Sequence, residues 1–383
     1  MVELVRLGRS MHSVAAQSHV DPSTVSFWVA RAKGHRLDQV DFSDRKSGRA
    51  WNRTAAHLEQ RIVGLRKSLR EDSVLGEYGA RPIKAALKAE MVDTPSEATI
   101  NRVLSRLGLQ DGVRRSRRPA PPQGWYLPEV AAGRAELDCF DFIEDLKIAD
   151  GPLVDLLTAK SLHGTLSDAW VLKQRSAKRT APCLRRRWKR DGLPAYAQYD
   201  NDTVFQGAHQ FADAVGRISR LCLQLGVIPV FVPPLEHGMQ NTIESFNGLW
   251  QTKVWRRHRV RSVRELQRRS DQYVAARRLR NQALAEAAPR RRPIPKGFKL
   301  NLHAPLRGLM IFIRRTDETG HVHMLGQRFA VSPNWPHRLV RCEVDFDHHC
   351  IRCFALRRSA PDAQPLLTTI SYQRTYKPFR GET

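Results

Sequence analysis

The chain has 383 residues, 41% of them apolar, which leaves room for two or three domains with cores of their own and excludes a disordered chain. Its 64 Lys and Arg against 38 Asp and Glu give a formal net charge of +26, so a polyanionic partner is expected, although charge alone suits ribosomal proteins, nucleases, regulators and membrane-surface binders equally. No stretch approaches the roughly 18 to 20 apolar residues of a membrane span, no apolar signal core opens the chain, and the scattered cysteines read as reduced thiols, so a cytosolic protein without membrane contact is expected.

Taken in chain order, residues 10 to 33 predict a short helix, a tight turn and a second helix, with Asp21 as N-cap, Pro22 as first helical residue and Val25, Trp28, Val29 and Ala32 at helical spacing. This reads as a helix-turn-helix over residues 1–35, against the plain alternative of a helical hairpin. The theme recurs over 52–110. Leu58 to Leu69 and Ile83 to Met91 predict helices, and Thr94-Pro95-Ser96-Glu97 is a capping box before Ile100, Val103, Leu104 and Leu107, with Gly108 as the stop. Residues 111–133 form a basic, Pro-rich linker in which Arg114, Arg115, Arg117 and Arg118 are candidates for phosphate contact.

From residue 134 the pattern changes to strands and helices in alternation. Strands are predicted at Ala135 to Phe142, Leu153 to Ala159, Leu166 to Leu172, Ala195 to Tyr199 and Val227 to Val232, with helices at Ala177 to Arg190 and near His209 to Leu225, which is an α/β domain. Between Lys253 and Arg292 stand fourteen Lys or Arg against three acidic residues, too one-sided for pairing and therefore favouring phosphate. A second basic linker covers 289–304, and the short strands of 305–380 predict a small β-barrel that binds DNA.

Three acidic residues sit where packing would not put them. Asp138 interrupts an apolar strand, Asp200 ends one, and Glu244 follows Ile243 at a helix start. Each alone is more simply a cap or a surface charge. Together they suit phosphoryl transfer, because a hard divalent cation takes oxygen ligands and a pair of such ions about 3.5 to 4 Å apart activates the attacking oxygen and stabilises the leaving one. Asp141 rivals Asp138, since a period of two puts the pair on opposite faces of one strand, and Glu236 rivals Glu244.

Around these residues, Ala-Glu-Leu-Asp138-Cys, Tyr-Asp200-Asn201-Asp202-Thr-Val-Phe205 and Asn241-Thr-Ile-Glu244-Ser-Phe-Asn247 resemble the three blocks of the DDE integrase-core family of retroviral integrases and bacterial insertion-sequence transposases. The resemblance implies an RNase H-like catalytic core over 134–288 between N-terminal all-α helix-turn-helix units and the C-terminal small β-barrel. It further implies two Mg²⁺ or Mn²⁺ ions held by Asp138, Asp200 and Glu244, with Asp138 bridging. The implied activity is cleavage at transposon ends and joining of the freed 3′-hydroxyl to target DNA, by a homo-oligomer assembled on double-stranded DNA in the bacterial nucleoid. Asn201 would brace the second block. Asn247 and Gln251, on the helical face of Glu244, would approach the DNA end, with Lys253, Arg256 and Arg257 holding phosphates behind them. No accessory ATPase is named by these residues. The alternatives are a transposase-derived regulator without catalysis and a nuclease that cuts without joining.

Two departures from the family stand out. Asp202 replaces the usual Gly and is read as tolerating a left-handed turn. The 43 residues between Asp200 and Glu244 imply an inserted loop around Gln206 to Arg217 or Pro233 to Asn241. Elsewhere, Trp250 and Trp255 are candidates for base stacking. Zinc at Cys342, His348, Cys350 and Cys353 is disfavoured, because Val340, Cys342, Val344 and Phe346 alternate like the inner face of a strand.

Overall fold

The computed structural model describes residues 1–40, 54–90, 94–110, 123–149, 151–208, 211–233, 236, 238–375 and 379. Arg114, Arg115, Arg117 and Arg118 lie outside the described residues. The chain divides into two compact units, Met1–Val63 and Gly64–Thr383.

The first unit is built from α1 (Val2–Arg6), α2 (Met11–Gln17) and α3 (Pro22–Arg31), packed around Val14, Ala15 and Val25. Both later helices begin as their sequence dictates. The Ser10 hydroxyl accepts from the Ser13 N–H, and the Asp21 carboxylate accepts from the Ser23 N–H beside Pro22. The helix α4 (Ala56–Asp72) spans the division, and α5 (Ala80–Glu90) and α6 (Glu97–Arg106) follow. At α6, Ser96 caps the N–H of Thr99, Ile100, Val103 and Leu104 turn inward, and Gly108 ends the helix at a φ of +65° that favours glycine. Leu107, expected on the buried stripe, is exposed.

After the short α7 (Pro128–Ala131) come β1 (Leu137–Lys147), β2 (Leu153–Ser161), β3 (Ser167–Leu172), α8 (Ala177–Asp191), β4 (Tyr196–Tyr199), α9 (Thr203–Gln206), α10 (Arg217–Gln224) and β5 (Ile228–Phe231). Helices α11 (Asn241–Trp250), α12 (Val263–Arg280) and α13 (Gln282–Glu286) follow, with a π-helical turn at Gln251–Trp255 between the first two. The C-terminal strands are β6 (Leu309–Arg315), β7 (His321–Met324), β8 (Gln327–Ala330), β9 (Leu339–Asp345), β10 (Cys350–Ala355) and β11 (Leu366–Ser371). None of the described helices is long and apolar enough to cross a membrane.

One mixed sheet organises the second unit, in the order β11-β10-β9-β6-β5-β4-β1-β2-β3. Strands β1, β2 and β3 are antiparallel neighbours, while β1, β4, β5 and β6 run parallel. This large mixed sheet with helices on both faces is the α/β domain expected from residue 134. Its two faces carry separate cores. Phe140, Phe142, Trp188, Tyr199, Leu221 and Phe231 lie on one side with α8 and α10, and Leu137, Cys139, Val230, Ile243, Phe246 and Trp250 on the other with α11 and α12. The β3 edge is covered by Gln267 of α12, whose amide accepts from Val171 N–H and donates to Ala169 C=O.

The expected C-terminal barrel is replaced by something else. Strand β6 pairs in parallel with β5 (Val230↔Ile311, Phe231↔Phe312), and β9, β10 and β11 add antiparallel beyond it, so the last strands prolong the central sheet, with β7 and β8 as a separate ribbon. No closed barrel is formed among the described residues. Short apolar strands satisfy their backbones equally well by closing on themselves or by extending an open edge, and β5 offers such an edge. Within the long spacing between Asp200 and Glu244, Asp213 is buried and accepts from Tyr372 Oη (2.7 Å) and Gln327 Nε2 (2.7 Å). Of the helix expected near His209 to Leu225, the described residues form Arg217–Gln224. Cys342 and Cys353 face each other in the core across β9 and β10.

Candidate active site

Strand β1 carries both rival aspartates, and its alternation sends them to opposite faces. Asp138 shares the face of Phe140 and Phe142 and is completely buried under α8. Arg187 of α8 binds it with two hydrogen bonds (3.0 and 2.9 Å), Arg291 with two more (2.6 and 3.2 Å), and Trp188 Nε1 donates a fifth at 3.2 Å. Burial alone would raise this carboxyl, but the two guanidinium groups more than offset it and hold Asp138 well below the usual carboxylate range. A carboxylate so fully engaged has no lone pair to offer a metal ion, which corrects the expectation that Asp138 is a ligand and bridges two ions.

Asp141 faces the other way. The register Cys139↔Gln198 between β1 and β4, extended by two residues, sets Asp141 beside Asp200 at the end of β4. Helix α11 lies over this same face through Ile243, Phe246 and Trp250, and brings Glu244, exposed, in its first turn. Asp141 is half-buried and oriented by Asn247, whose Nδ2 donates to Oδ2 at 2.7 Å, and by the Phe142 N–H on Oδ1 at 2.9 Å. Asn247 is itself fixed by Thr158, the cross-strand partner of Asp141, whose hydroxyl donates to Oδ1 at 2.7 Å.

The electrostatics follow from this gathering. Burial, then repulsion from Asp200, then from Glu244 and Glu144, against relief from the Phe142 N–H, push Asp141 up to about 7. Asp200 is raised too, by burial and by Asp202 and Glu144, against the Asp202 N–H and Arg175, which pull it down. Among the described residues no three acidic, histidine or cysteine side chains are gathered into a ready-made ion cage, so the carboxylates face one another at electrostatic rather than ligating range. Their chemistry nonetheless fits a hard divalent cation, since every donor is a carboxylate oxygen and the repulsion between them is what a cation relieves.

The neighbouring predicted residues divide by what they touch. Asn201 donates to Val232 C=O at 2.7 Å and accepts from Arg314 at 2.8 Å, so both ends of its amide are engaged within the fold. Asp202 has a φ of −59° rather than a left-handed one. It caps α9 through the Val204 N–H (2.7 Å) and pairs with Arg175 at 2.7 Å, and Arg175 also binds Glu144. Glu236 is tied to Arg315 (2.6 Å) and Arg358 (2.7 Å) rather than to the acidic group.

The basic stretch behind Glu244 is largely spoken for within the fold. Asn247 is buried against Asp141, which corrects its assignment to the DNA end. Lys253 donates to Gly76 C=O at 2.8 Å, and Arg257 donates to the carbonyls of Arg70, Glu71 and Ser73, closing the C-terminal end of α4. Arg269 pairs with Glu265 and Arg278 with Asp168 and Asp191, while Arg277 is buried against Phe246 and Tyr273. Of the residues on this stretch expected to meet DNA, Arg256 is exposed and Gln251 half-exposed. Trp250 is fully buried, with Nε1 donating to Ser270, so it is a core anchor and not a stacking platform; Trp255 is half-buried against the same core.

No protein-family model matches the chain, and no curated protein matches it. Among solved structures, a chain of the simian T-cell lymphotropic virus intasome, determined by cryo-EM in complex with PP2A regulatory subunit B56 gamma, is similar at 13% identity with a TM-score of 0.36, over 68% of this chain and 87% of that one. The catalytic core domain of BIV integrase is similar at 16% identity with a TM-score of 0.27, over 37% of this chain and 81% of that one. Both likenesses are distant.

Two features of the site escape a reading by spacing alone. The partners of Asp138 had one visible signal, because Arg187 falls on the same helical stripe as Ala177, Ala181, Leu184 and Trp188, and an arginine on an apolar stripe requires a buried acid. Thr158 and Asn247 as a relay onto Asp141 had none, since neither residue type is unusual where it stands. Asn247→Ala is expected to cost about 1 to 3 kcal/mol, the range for leaving buried polar partners unsatisfied, measured by urea unfolding.

Proposed function

We propose that Asp141, Asp200 and Glu244 together hold divalent metal ions, Mg²⁺ or Mn²⁺ and two in number, for phosphoryl transfer on DNA. The observation that carries this reading is that β1, β4 and α11 bring Asp141, Asp200 and Glu244 to one face of the sheet, where burial first, and repulsion from Asp200 and then Glu244 after it, push Asp141 up to about 7. Bound there, the ions would activate an attacking water or 3′-hydroxyl and offset charge on the phosphate.

The chain's own residues do the positioning. Asn247 and the Phe142 N–H fix both oxygens of Asp141 in direction, and the Asp202 N–H donates to Asp200 Oδ1 at 3.0 Å, aiming that carboxylate off the end of β4. Glu244 is the exposed member and the one with freedom to reach a substrate-bound ion. Asp202, engaged as a cap and by Arg175, leaves the three others to act, which supports a working enzyme over a regulator that has lost catalysis.

The activity proposed is that of a DNA transposase or integrase, cutting element ends and joining them to a target duplex as a multimer on DNA. The capped helices α2, α3 and α6 supply candidate reading heads. In a strand-joining assay with labelled, pre-cut ends and Mg²⁺ or Mn²⁺, Asp200→Asn is expected to abolish joining while duplex binding survives. Undiminished joining by that variant would sink the catalytic assignment, and cleavage without joining by the wild type would identify a nuclease.

A further inference from the structure

On the sheet face turned away from Asp141, Asp200 and Glu244, helix α8 and residues 294–299 enclose an open groove of about 870 Å³. Arg185, Arg186 and Lys189 line it from the helix and Lys296 and Lys299 from the facing segment, all exposed, and no acidic side chain among the described residues lines it. The helix places these cations by its period, since Lys189 stands one turn beyond Arg185 and Arg186, on the side away from Leu184 and Trp188. Arg185 spends one hydrogen bond on a neutral partner, Phe298 C=O at 3.3 Å, whereas on α12 Arg269 and Arg278 are paired with carboxylates. Five like charges around one furrow repel, and only an anionic occupant relieves them.

Both walls are anchored to one point. Arg187, next to Arg186, turns inward to Asp138, and Arg291, at the head of the facing segment, reaches the same carboxylate. Asp138 therefore fixes the width of the groove and ties it to β1, the strand that carries Asp141.

We propose that this groove binds the sugar-phosphate backbone of double-stranded DNA at a second site, separate from the carboxylate site. The choice of DNA over RNA duplex rests on the reading of the carboxylates given above. The choice of duplex over single strand rests on the groove itself. Single-strand binders pair their cations with open aromatic faces for bases to stack on, whereas the one aromatic ring lining this groove among the described residues, Phe298, is half-buried and covered by the Arg185 guanidinium at 5.9 Å.

The test uses the full chain. Acetylation of lysines by an N-hydroxysuccinimide ester, read by mass spectrometry, is expected to slow at Lys189, Lys296 and Lys299 when duplex DNA of arbitrary sequence is added, in the wild type and in Asp200→Asn alike. Unchanged acetylation at these three while other lysines are protected would overturn the proposal, as would protection by single-stranded RNA and not by duplex. The paired change Arg186→Glu with Lys189→Glu is expected to flatten the plot of log binding constant against log salt by about 2, at roughly 0.9 for each phosphate no longer neutralised, with cooperative unfolding retained. An unaltered slope would count against it equally. Absent protection with intact, Asp200-dependent joining refutes the groove alone, and joining that survives Asp200→Asn refutes the carboxylate reading while leaving the protection to stand or fall separately.

Discussion

Asp141→Asn is expected to make the metal-free protein more stable and to reduce strand joining by about 10² to 10³-fold or more, the range found when a preorganised charge-stabilising group is removed. The two effects share one cause. A carboxyl that titrates near 7 in the folded chain, against 3.8 ordinarily, holds its proton more tightly folded than unfolded. The stability it contributes is complete below pH 4 and is lost as pH rises through 7, a difference on the order of 4 kcal/mol. The asparagine removes that loss. Urea unfolding at pH 5 and pH 8 in chelator is expected to show the wild type weakening with pH and the variant much less so. Added Mg²⁺ is expected to restore the wild type and leave the variant unmoved. A wild type indifferent to both pH and Mg²⁺ would remove Asp141 from the metal site.

Asp138→Asn is expected to do the reverse. It deprives Arg187, fully buried, and Arg291 of their shared counter-charge, and breaking a buried ion pair from one side costs about 3 to 5 kcal/mol. Guanidinium chloride unfolding measures the loss. Joining per folded molecule, at saturating DNA and a temperature where the variant is folded, is expected to be kept. The pair of variants therefore separates the two aspartates of β1 cleanly: one lost for stability with chemistry kept, the other lost for chemistry with stability gained. Loss of chemistry in Asp138→Asn with unchanged unfolding would return that residue to the catalytic group.

Much of this was legible in the residues. The caps at Ser10, Asp21 and Ser96 act as their side chains dictate, because capping is local chemistry. The strands around Asp138 to Phe142 and Tyr196 to Tyr199 were visible from their apolar runs, and the strand-end and helix-start positions of Asp200 and Glu244 marked them out. What the alternation of β1 shows is that Asp138 and Asp141 point oppositely; which face receives α11 depends on contacts about a hundred residues away, as between Asp141 and Asn247. The same limit applies to the C-terminal strands, whose local pattern is identical whether they close a barrel or extend β5. It applies also to Lys253 and Arg257, which look free in a run of cations until the C-terminal end of α4 is placed beside them.

The parallel seam between β5 and β6 bears on how the molecule can be divided. Phe231 stacks on Phe312 with ring centroids 5.3 Å apart, and β6 contributes Met310 and Phe312 to the core on one face of the sheet and Ile311 and Ile313 to the core on the other. A fragment trimmed at the basic segment after α13, where the sequence invites a boundary, would strip both cores of side chains and leave β5 as an unpaired, apolar edge in the middle of the former sheet. Such an edge is a template for pairing with another chain, so that fragment is a candidate for inclusion bodies.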